Sequence, residues 1–177
     1  MKTDYPNHLK LGTVSTMKNY QDFIQESSLT RLKSKSDKGG VGYLSASRAD
    51  KSKKENQKNT AQLSKDIRGA GLPGPTKVEG QYKEAGQEKP SKEKSFAVSS
   101  GKQGKKTFKK NMKKLGAKYD QDSVLVQQRA KGQGKLKPST KAGKKDLKGW
   151  DGKVGKMKPG GKGDMQTRIK GKTFTYE

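Results

Sequence analysis

The sequence predicts a small α/β (α+β) protein: a two-layer sandwich of roughly β-α-β-β-α-β order, followed by an extended, basic and largely disordered tail. Segments with apolar residues at helical spacing alternate with short apolar runs typical of strands. Only 26% of the 177 residues are hydrophobic, which excludes one large core. From residue 129 to residue 172 the chain is rich in Gly and Lys and has few large apolar side chains to offset the entropy of ordering.

The first strand and first helix of the predicted domain, residues 41–128, have clear local signals. Residues 41–47, which include Tyr43 and Leu44, follow a Gly-Gly pair and predict a strand. Ser52 and Glu55 have the spacing of a capping box, and apolar residues then recur at helical spacing until a cluster of Gly and Pro. These signals predict a helix over 52–68.

The remaining elements are predicted from the same patterns. They are strands over 76–82, 95–99 and 122–127 and a helix over 105–119. This second helix has the clearest pattern, since four apolar residues fall at i, i+4, i+7 and i+11 and lysines occupy the other faces. Residues 173–177 alternate like a strand and are expected to return to an edge of the sheet.

The composition indicates a polyanionic partner and excludes several kinds of catalytic site. The net charge is +25, and five Arg among 42 basic residues leave 37 Lys, which bind phosphates as point charges rather than reading bases. There is no Cys and only His8, so thiolate nucleophiles and Cys or His metal clusters are excluded. We therefore expect no catalytic residue, no metal and no cofactor. No apolar run is long enough for a membrane span or a secretory signal, so no membrane partner is expected.

Lysines on the second helix and in the tail are the candidate nucleic-acid contacts, together with the single Trp, which could stack on a base. The candidates are Lys105, Lys106, Lys109, Lys110, Lys113, Lys114, Lys144, Lys145, Trp150, Lys156 and Lys158. The alternative for any one Lys pair is a solvated helix face, and for the Trp a contact with its own domain.

Residues 17–26, MKNYQDFIQE, resemble the capsid-targeting leader of internal head proteins of T-even-like tailed bacteriophages. The resemblance implies that an apolar stripe docks on the assembling scaffold and that the prohead protease cuts after Glu26, with Ile24 as the second recognition residue. The docking stripe comprises Met17, Tyr20, Phe23 and Ile24. Sixteen residues precede this segment, unlike in the family, so Met17 is a second candidate start. The alternative is an N-terminal helix whose apolar face packs on the domain.

This resemblance implies a non-enzymatic virion protein of the capsid interior, made in the host cytoplasm, packaged with double-stranded DNA and bound to it without sequence preference. Its partners in assembly would be the scaffold and the prohead protease, and after ejection an unidentified host target. The implied organisation is a leader region over 1–26, a linker over 27–40, the α/β domain, the tail over 129–172 and the C-terminal strand. The alternatives are a ribosome-associated or RNA-packaging protein, and an α/β enzyme acting on nucleic acid.

The middle of the chain also resembles a small α/β family of unknown function found in bacteria and phages. The residues that carry this resemblance are Ser45-Ala-Ser-Arg48, Asp50, Glu55-Asn56, Asp66-Ile-Arg68, Ala70-Gly71 and Lys77-Val-Glu-Gly80. No activity follows from it. Ser45, Ser47, Arg48 and Asp50 lie together at a predicted strand end, where they could bind a phosphate or a host factor. Turn formation and helix capping explain the polar residues there equally well.

Overall fold

The computed structural model describes residues 30–82, 91–128, 132–160, 165–169 and 171–176, and these contain four helices and nine strands. The helices are α1 (residues 30–38), α2 (Lys53–Gly69), α3 (Lys105–Lys118) and α4 (Lys141–Asp146). The strands are β1 (Gly40–Ser45), β2 (Thr76–Tyr82), β3 (Ser91–Ser99), β4 (Ser123–Gln128), β5 (Gly134–Pro138), β6 (Lys153–Gly155), β7 (Met157–Pro159), β8 (Met165–Ile169) and β9 (Lys172–Tyr176).

The nine strands form one antiparallel sheet in the order β6-β5-β4-β1-β3-β2-β8-β9-β7. Its two outermost strands, β6 and β7, are neighbours in the chain and are separated by Lys156 alone. The ends of the sheet therefore come together, and the sheet curls into a nearly closed, barrel-like form. This differs from the simple two-layer sandwich that was expected.

The two faces of the sheet bury separate apolar clusters, because successive side chains of a strand point to opposite faces. The outer cluster lies under α2 and α3 and includes Leu44, Leu63, Ile67, Phe96, Val98, Phe108, Met112, Leu115, Val124 and Val126. The inner cluster is formed by Leu32, Val41, Tyr43, Val78, Ala97, Leu125, Ile169, Phe174 and Tyr176. The few apolar residues of the chain are thus divided between two small clusters.

The predicted order of elements is confirmed over Gly40–Gln128, where β1, α2, β2, β3, α3 and β4 follow one another. Ser52 caps α2 with both hydrogen bonds of a capping box to Glu55. Helix α3 approaches β1 closely, because a methyl group at Gly42 would stand 2.5 Å from Met112 Cε. The sequence patterns of this half were therefore sufficient to place its elements.

The expectation of an extended, largely disordered tail is wrong for the described residues. Strands β5 to β8 and helix α4 lie within 129–172, and β5 pairs with β4 over five positions. Backbone pairing supplies order that a count of apolar side chains does not reveal. Glycine allows close packing here, since a Cβ at Gly134 would stand 2.8 Å from the ring of Tyr176. Strand β9 lies between β8 and β7, so it is not an edge strand.

The N-terminal part of the description begins with α1, inside the segment expected to be a linker. Leu32 and Ser36, one helical turn apart, are both buried, and Leu32 joins the inner cluster. The leader residues Met17, Tyr20, Phe23, Ile24 and Glu26 lie outside the described residues. Among the described helices, none is long and apolar enough to cross a membrane.

Candidate functional site

An open groove of about 1550 Å³ lies where β1 ends and α2 begins. Small-molecule sites usually measure about 300–1,000 Å³, so the groove has room for a nucleoside-sized ligand. The first residues of β3 and the turn between α3 and β4 complete its walls. Its lining residues are Ser47, Arg48, Ala49, Asp50, Lys51, Lys53, Asn56, Gln57, Thr60, Lys92, Glu93, Lys94, Asp120, Gln121, Asp122, Ser123 and Leu136.

The connection between β1 and α2 is held by Asn56, in the first turn of the helix. Its side-chain oxygen accepts a hydrogen bond from the Arg48 backbone N–H at 2.9 Å, and its amide nitrogen donates to the Arg48 carbonyl at 2.9 Å. The same amide also donates to the Lys51 carbonyl at 3.2 Å. Three backbone groups of an otherwise irregular loop are thereby satisfied. The loop is fixed to the helix, and its side chains are presented to the groove.

The guanidinium of Arg48 is fixed from two sides. Its Nε donates to Asp50 Oδ1 at 3.2 Å, and its Nη1 donates to the Asp120 carbonyl. Asp120 has a φ of 54°, a left-handed conformation that Asp adopts more readily than most residues. Because a guanidinium carries five N–H donors, Arg48 keeps donors for an anionic ligand group.

Glu93 provides the half-buried carboxyl group of the groove. It lies on β3 four residues before Ala97 of the inner cluster, and so on the inner face of the sheet. Burial raises the pKa of Glu93, while the nearby Ser45 hydroxyl and the charge of Arg48 act in the opposite direction. The Ser45 hydroxyl itself donates to the Lys94 carbonyl at 2.8 Å and accepts from the Ser47 N–H at 3.0 Å. Glu93 is therefore a carboxyl group that can bind a cation or exchange a proton.

The groove is nearly balanced in charge within a chain of net charge +25. Five basic side chains line it, Arg48, Lys51, Lys53, Lys92 and Lys94, against four acidic ones, Asp50, Glu93, Asp120 and Asp122. Asp122 also accepts a hydrogen bond from Thr140 at 2.8 Å. A ligand that carries both signs of charge finds partners here that it lacks over most of the surface.

A resident metal ion has no evident place in the described residues, where no three His, Asp or Glu side chains group closely enough to hold one. The groove carboxylates are instead engaged with Arg48 and Thr140 or stand apart on different elements. The side chains that line the groove supply carboxylates, a guanidinium, ammonium groups, hydroxyls and amides.

The structure brings together the cluster at the end of β1, with Arg48 and Asp50 paired and Ser45 bonded to Ser47. It does not bring the predicted nucleic-acid contacts into the groove. The six predicted lysines from Lys105 to Lys114 lie on α3, and no residue of α3 lines the groove. Lys144 and Lys145 lie in the last turn of α4. Lys156 lies between β6 and β7, and Lys158 lies within β7. Trp150, 48% exposed, follows α4.

Sequence reasoning did not identify Glu93, Asn56, Asp120 and Asp122 as residues of one site. The strand that holds Glu93 was predicted to begin only at Ser95, which left Glu93 in a loop. Pairing with β2 extends β3 back to Ser91. The alternating charges of Lys92, Glu93 and Lys94 are compatible with a strand. Without apolar residues at alternate positions, however, such a pattern is weak evidence for one.

The model of the S-adenosylmethionine lyase family matches residues 42–177, from β1 through β9. No curated protein matches the chain, and no family of phage internal head proteins was found for it. The identification as an internal head protein, which rested on ten residues, is therefore wrong. The non-enzymatic, virion and capsid-interior assignments that followed from it are also wrong, because the matched family is one of enzymes. Since the match spans 136 of the 177 residues (42 to 177), the chain belongs to the S-adenosylmethionine lyase family.

Proposed function

We propose that this protein is a lyase that cleaves S-adenosylmethionine, and that the substrate binds in the groove between β1, α2 and β3. The family match over residues 42–177 carries the proposal, and that range includes every residue that lines the groove. The volume of the groove and its mixed charge support the placement.

The charges of the substrate favour this groove over the rest of the surface. S-adenosylmethionine carries a sulfonium, an ammonium and a carboxylate, so it is a net cation that a chain of net charge +25 repels at long range. The groove offers Glu93 for a cationic group and the remaining donors of Arg48 for the carboxylate. Local complementarity thus offsets the repulsion.

The reaction requires that one carbon–sulfur bond break without water or an oxidant. The bonding electrons leave with sulfur, which becomes a neutral thioether. The carbon fragment then closes a new internal bond, either to its own carboxylate oxygen or as a carbon–carbon double bond after loss of a proton to a base. In both routes atoms and electrons balance, and the sulfonium charge decreases in the transition state and is lost in the product.

That loss of charge decides where Glu93 acts. An anion placed against the sulfonium would stabilise the substrate more than the transition state and would slow the reaction. We therefore assign Glu93 to the substrate ammonium, which keeps its charge throughout. Arg48, held by Asp50 and the Asp120 carbonyl, orients the carboxylate by one of its oxygens. In the route that closes a carbon–oxygen bond, the other oxygen is left free to attack.

The test is turnover of S-adenosylmethionine by the purified full chain, with substrate loss and thioether release measured by chromatography and mass spectrometry. Glu93→Gln should raise KM about tenfold or more, the effect of losing one charged hydrogen bond, with a smaller change in kcat. Asp146→Asn, at an exposed carboxylate of α4 outside the groove, is the matched control and should match the unmodified chain.

The outcomes separate the function from the site. No substrate loss with the unmodified chain contradicts the function. Normal turnover with unchanged KM in Glu93→Gln contradicts the placement of the substrate beside Glu93. A fall in kcat alone would assign Glu93 as the base of the double-bond route instead.

A further inference from the structure

Lysine side chains of α3 and of β5 lie next to each other on a surface outside the groove. Lys109 and Lys113 are one turn apart on α3, and Lys135 and Lys137 are two residues apart on β5, so each pair shares one face of its element. In the register of β4 and β5, Lys137 lies opposite Val124 and Lys135 opposite Val126. We name these four residues the α3–β5 lysine face.

The two rows lie on the same side of the sheet. Val124 and Val126 point into the outer cluster, which α3 covers. The residues opposite them on β5 point to the same face, and hence toward the flank of α3. Sequence spacing could not reveal this juxtaposition, because the β5 lysines were assigned to a disordered tail.

The charges of this face interact, and little acidic charge offsets them. Burial lowers the pKa of Lys137, and the charges of Lys135, Lys109 and Lys113 lower it further, while Asp151 acts in the opposite direction. Asp151 already forms an ion pair with Lys153. Helix α3 contains no acidic residue. The like charges therefore repel one another, and an anion bound across them would relieve that repulsion.

The chemistry of the face favours a phosphate backbone over other anionic partners. A membrane-binding surface needs apolar groups that insert, but the apolar residues of α3 are buried in the outer cluster. A protein interface usually has an aromatic or Arg centre, and the four residues here are all Lys. A small anion would meet only one or two of the ammonium groups, whereas a linear polyanion can meet both rows.

We propose that the α3–β5 lysine face binds the phosphate backbone of nucleic acid without reading its sequence, so that the enzyme is held on a nucleic-acid polymer. The face lies outside the groove residues, and the proposal does not depend on which reaction the groove performs. Lys makes point-charge contacts with phosphate and lacks the forked geometry that reads bases.

The experiment measures binding of the full chain to fluorescently labelled DNA and RNA duplexes of the same sequence, and to a DNA duplex of unrelated sequence, between about 50 and 200 mM salt. The test variant replaces Lys109, Lys113, Lys135 and Lys137 by Gln. The control variant replaces four exposed lysines elsewhere by Gln and so removes the same charge. These are Lys54, Lys58, Lys65 and Lys77. Circular dichroism and urea unfolding verify that both variants fold.

Each phosphate contact contributes about 0.9 to the slope of log affinity against log salt for duplex DNA. The test variant should therefore lose about 3 to 4 from that slope, and the control variant much less. The two DNA sequences should bind alike, and the RNA arm establishes which polymer is preferred. Equal slopes in the two variants, or no binding at the lowest salt, would overturn the proposal. Poly-glutamate is measured in the same assay as a polyanion without phosphate. If it binds the full chain as tightly as the duplexes do, the proposal is overturned, because the face would then recognise acidic protein.

Discussion

Glu93 shows how one residue acquires chemistry from its fold. In the sequence it is a single acid between two lysines, but the structure places it half-buried near the start of β3, close to Ser45 and Arg48. Asn56 is similar, because its three hydrogen bonds to the preceding loop depend on a chain reversal that no local pattern encodes. The capping pair Ser52 and Glu55 was predictable because its partners lie three residues apart.

The raised pKa of Glu93 gives a pH dependence with a definite sign. The substrate ammonium binds the ionised carboxylate, so affinity should be full above the raised pKa and should fall as pH decreases through it. KM should therefore rise toward acidic pH in the unmodified chain, while in Glu93→Gln it should be high and flat over the same range. A KM that is independent of pH in both proteins would remove Glu93 from substrate binding.

At the scale of elements, α2 and α3 are joined by a side-chain cluster around Asp66. Its Oδ2 accepts hydrogen bonds from Lys118 Nζ and the Tyr119 hydroxyl, both at 2.6 Å, and its Oδ1 accepts from Gln62 at 3.0 Å. These contacts lower the pKa of Asp66 to about 2. Since the folded pKa is depressed, the stabilisation is present above pH 4 or so and is lost as pH falls toward 2.

Asp66→Asn should lower the free energy of unfolding by about 1 kcal/mol at neutral pH, a value reduced from the full linkage energy because the cluster is partly solvated. Near the folded pKa the difference between the two proteins should shrink. Urea unfolding at neutral and acidic pH measures both quantities. Gln62→Ala, which removes only the weaker contact, is the control and should cost less. An equal cost at both pH values would show that Asp66 acts by packing rather than by charge.

The elements also show what the sequence could and could not predict. Helices α2 and α3 and the strands between β1 and β4 follow from caps, helical spacing and short apolar runs. Strands β5 to β8 do not follow from such signals, because these segments become strands by pairing with other strands. Their packing also depends on glycines such as Gly134, which leaves space for the ring of Tyr176. The groove was indicated only through the cluster after β1, since its opposite wall comes from β3 and the turn at Asp120.

At the scale of the whole molecule, the barrel-like sheet predicts that the α/β half depends on the C-terminal half. The inner faces of β1, β3 and β4 bury Tyr43, Ala97 and Leu125 in a cluster with Phe174 and Tyr176. A chain truncated after residue 128 should expose that face, bind a hydrophobic dye and lose cooperative urea unfolding. The full chain carried through the same preparation is the control. Cooperative unfolding of the truncated chain without dye binding would instead support an independent domain over 41–128.

The most direct test of the central claim is the fate of oxygen when the full chain cleaves S-adenosylmethionine in water labelled with heavy oxygen. A lyase closes a bond within the carbon fragment, so products quenched during the first turnovers should contain no solvent oxygen, and the thioether should appear in equal amount to the substrate lost. Incorporation of heavy oxygen into the freshly released carbon fragment would show hydrolysis. Either that result or intact substrate would contradict the assignment of this chain as a lyase of S-adenosylmethionine.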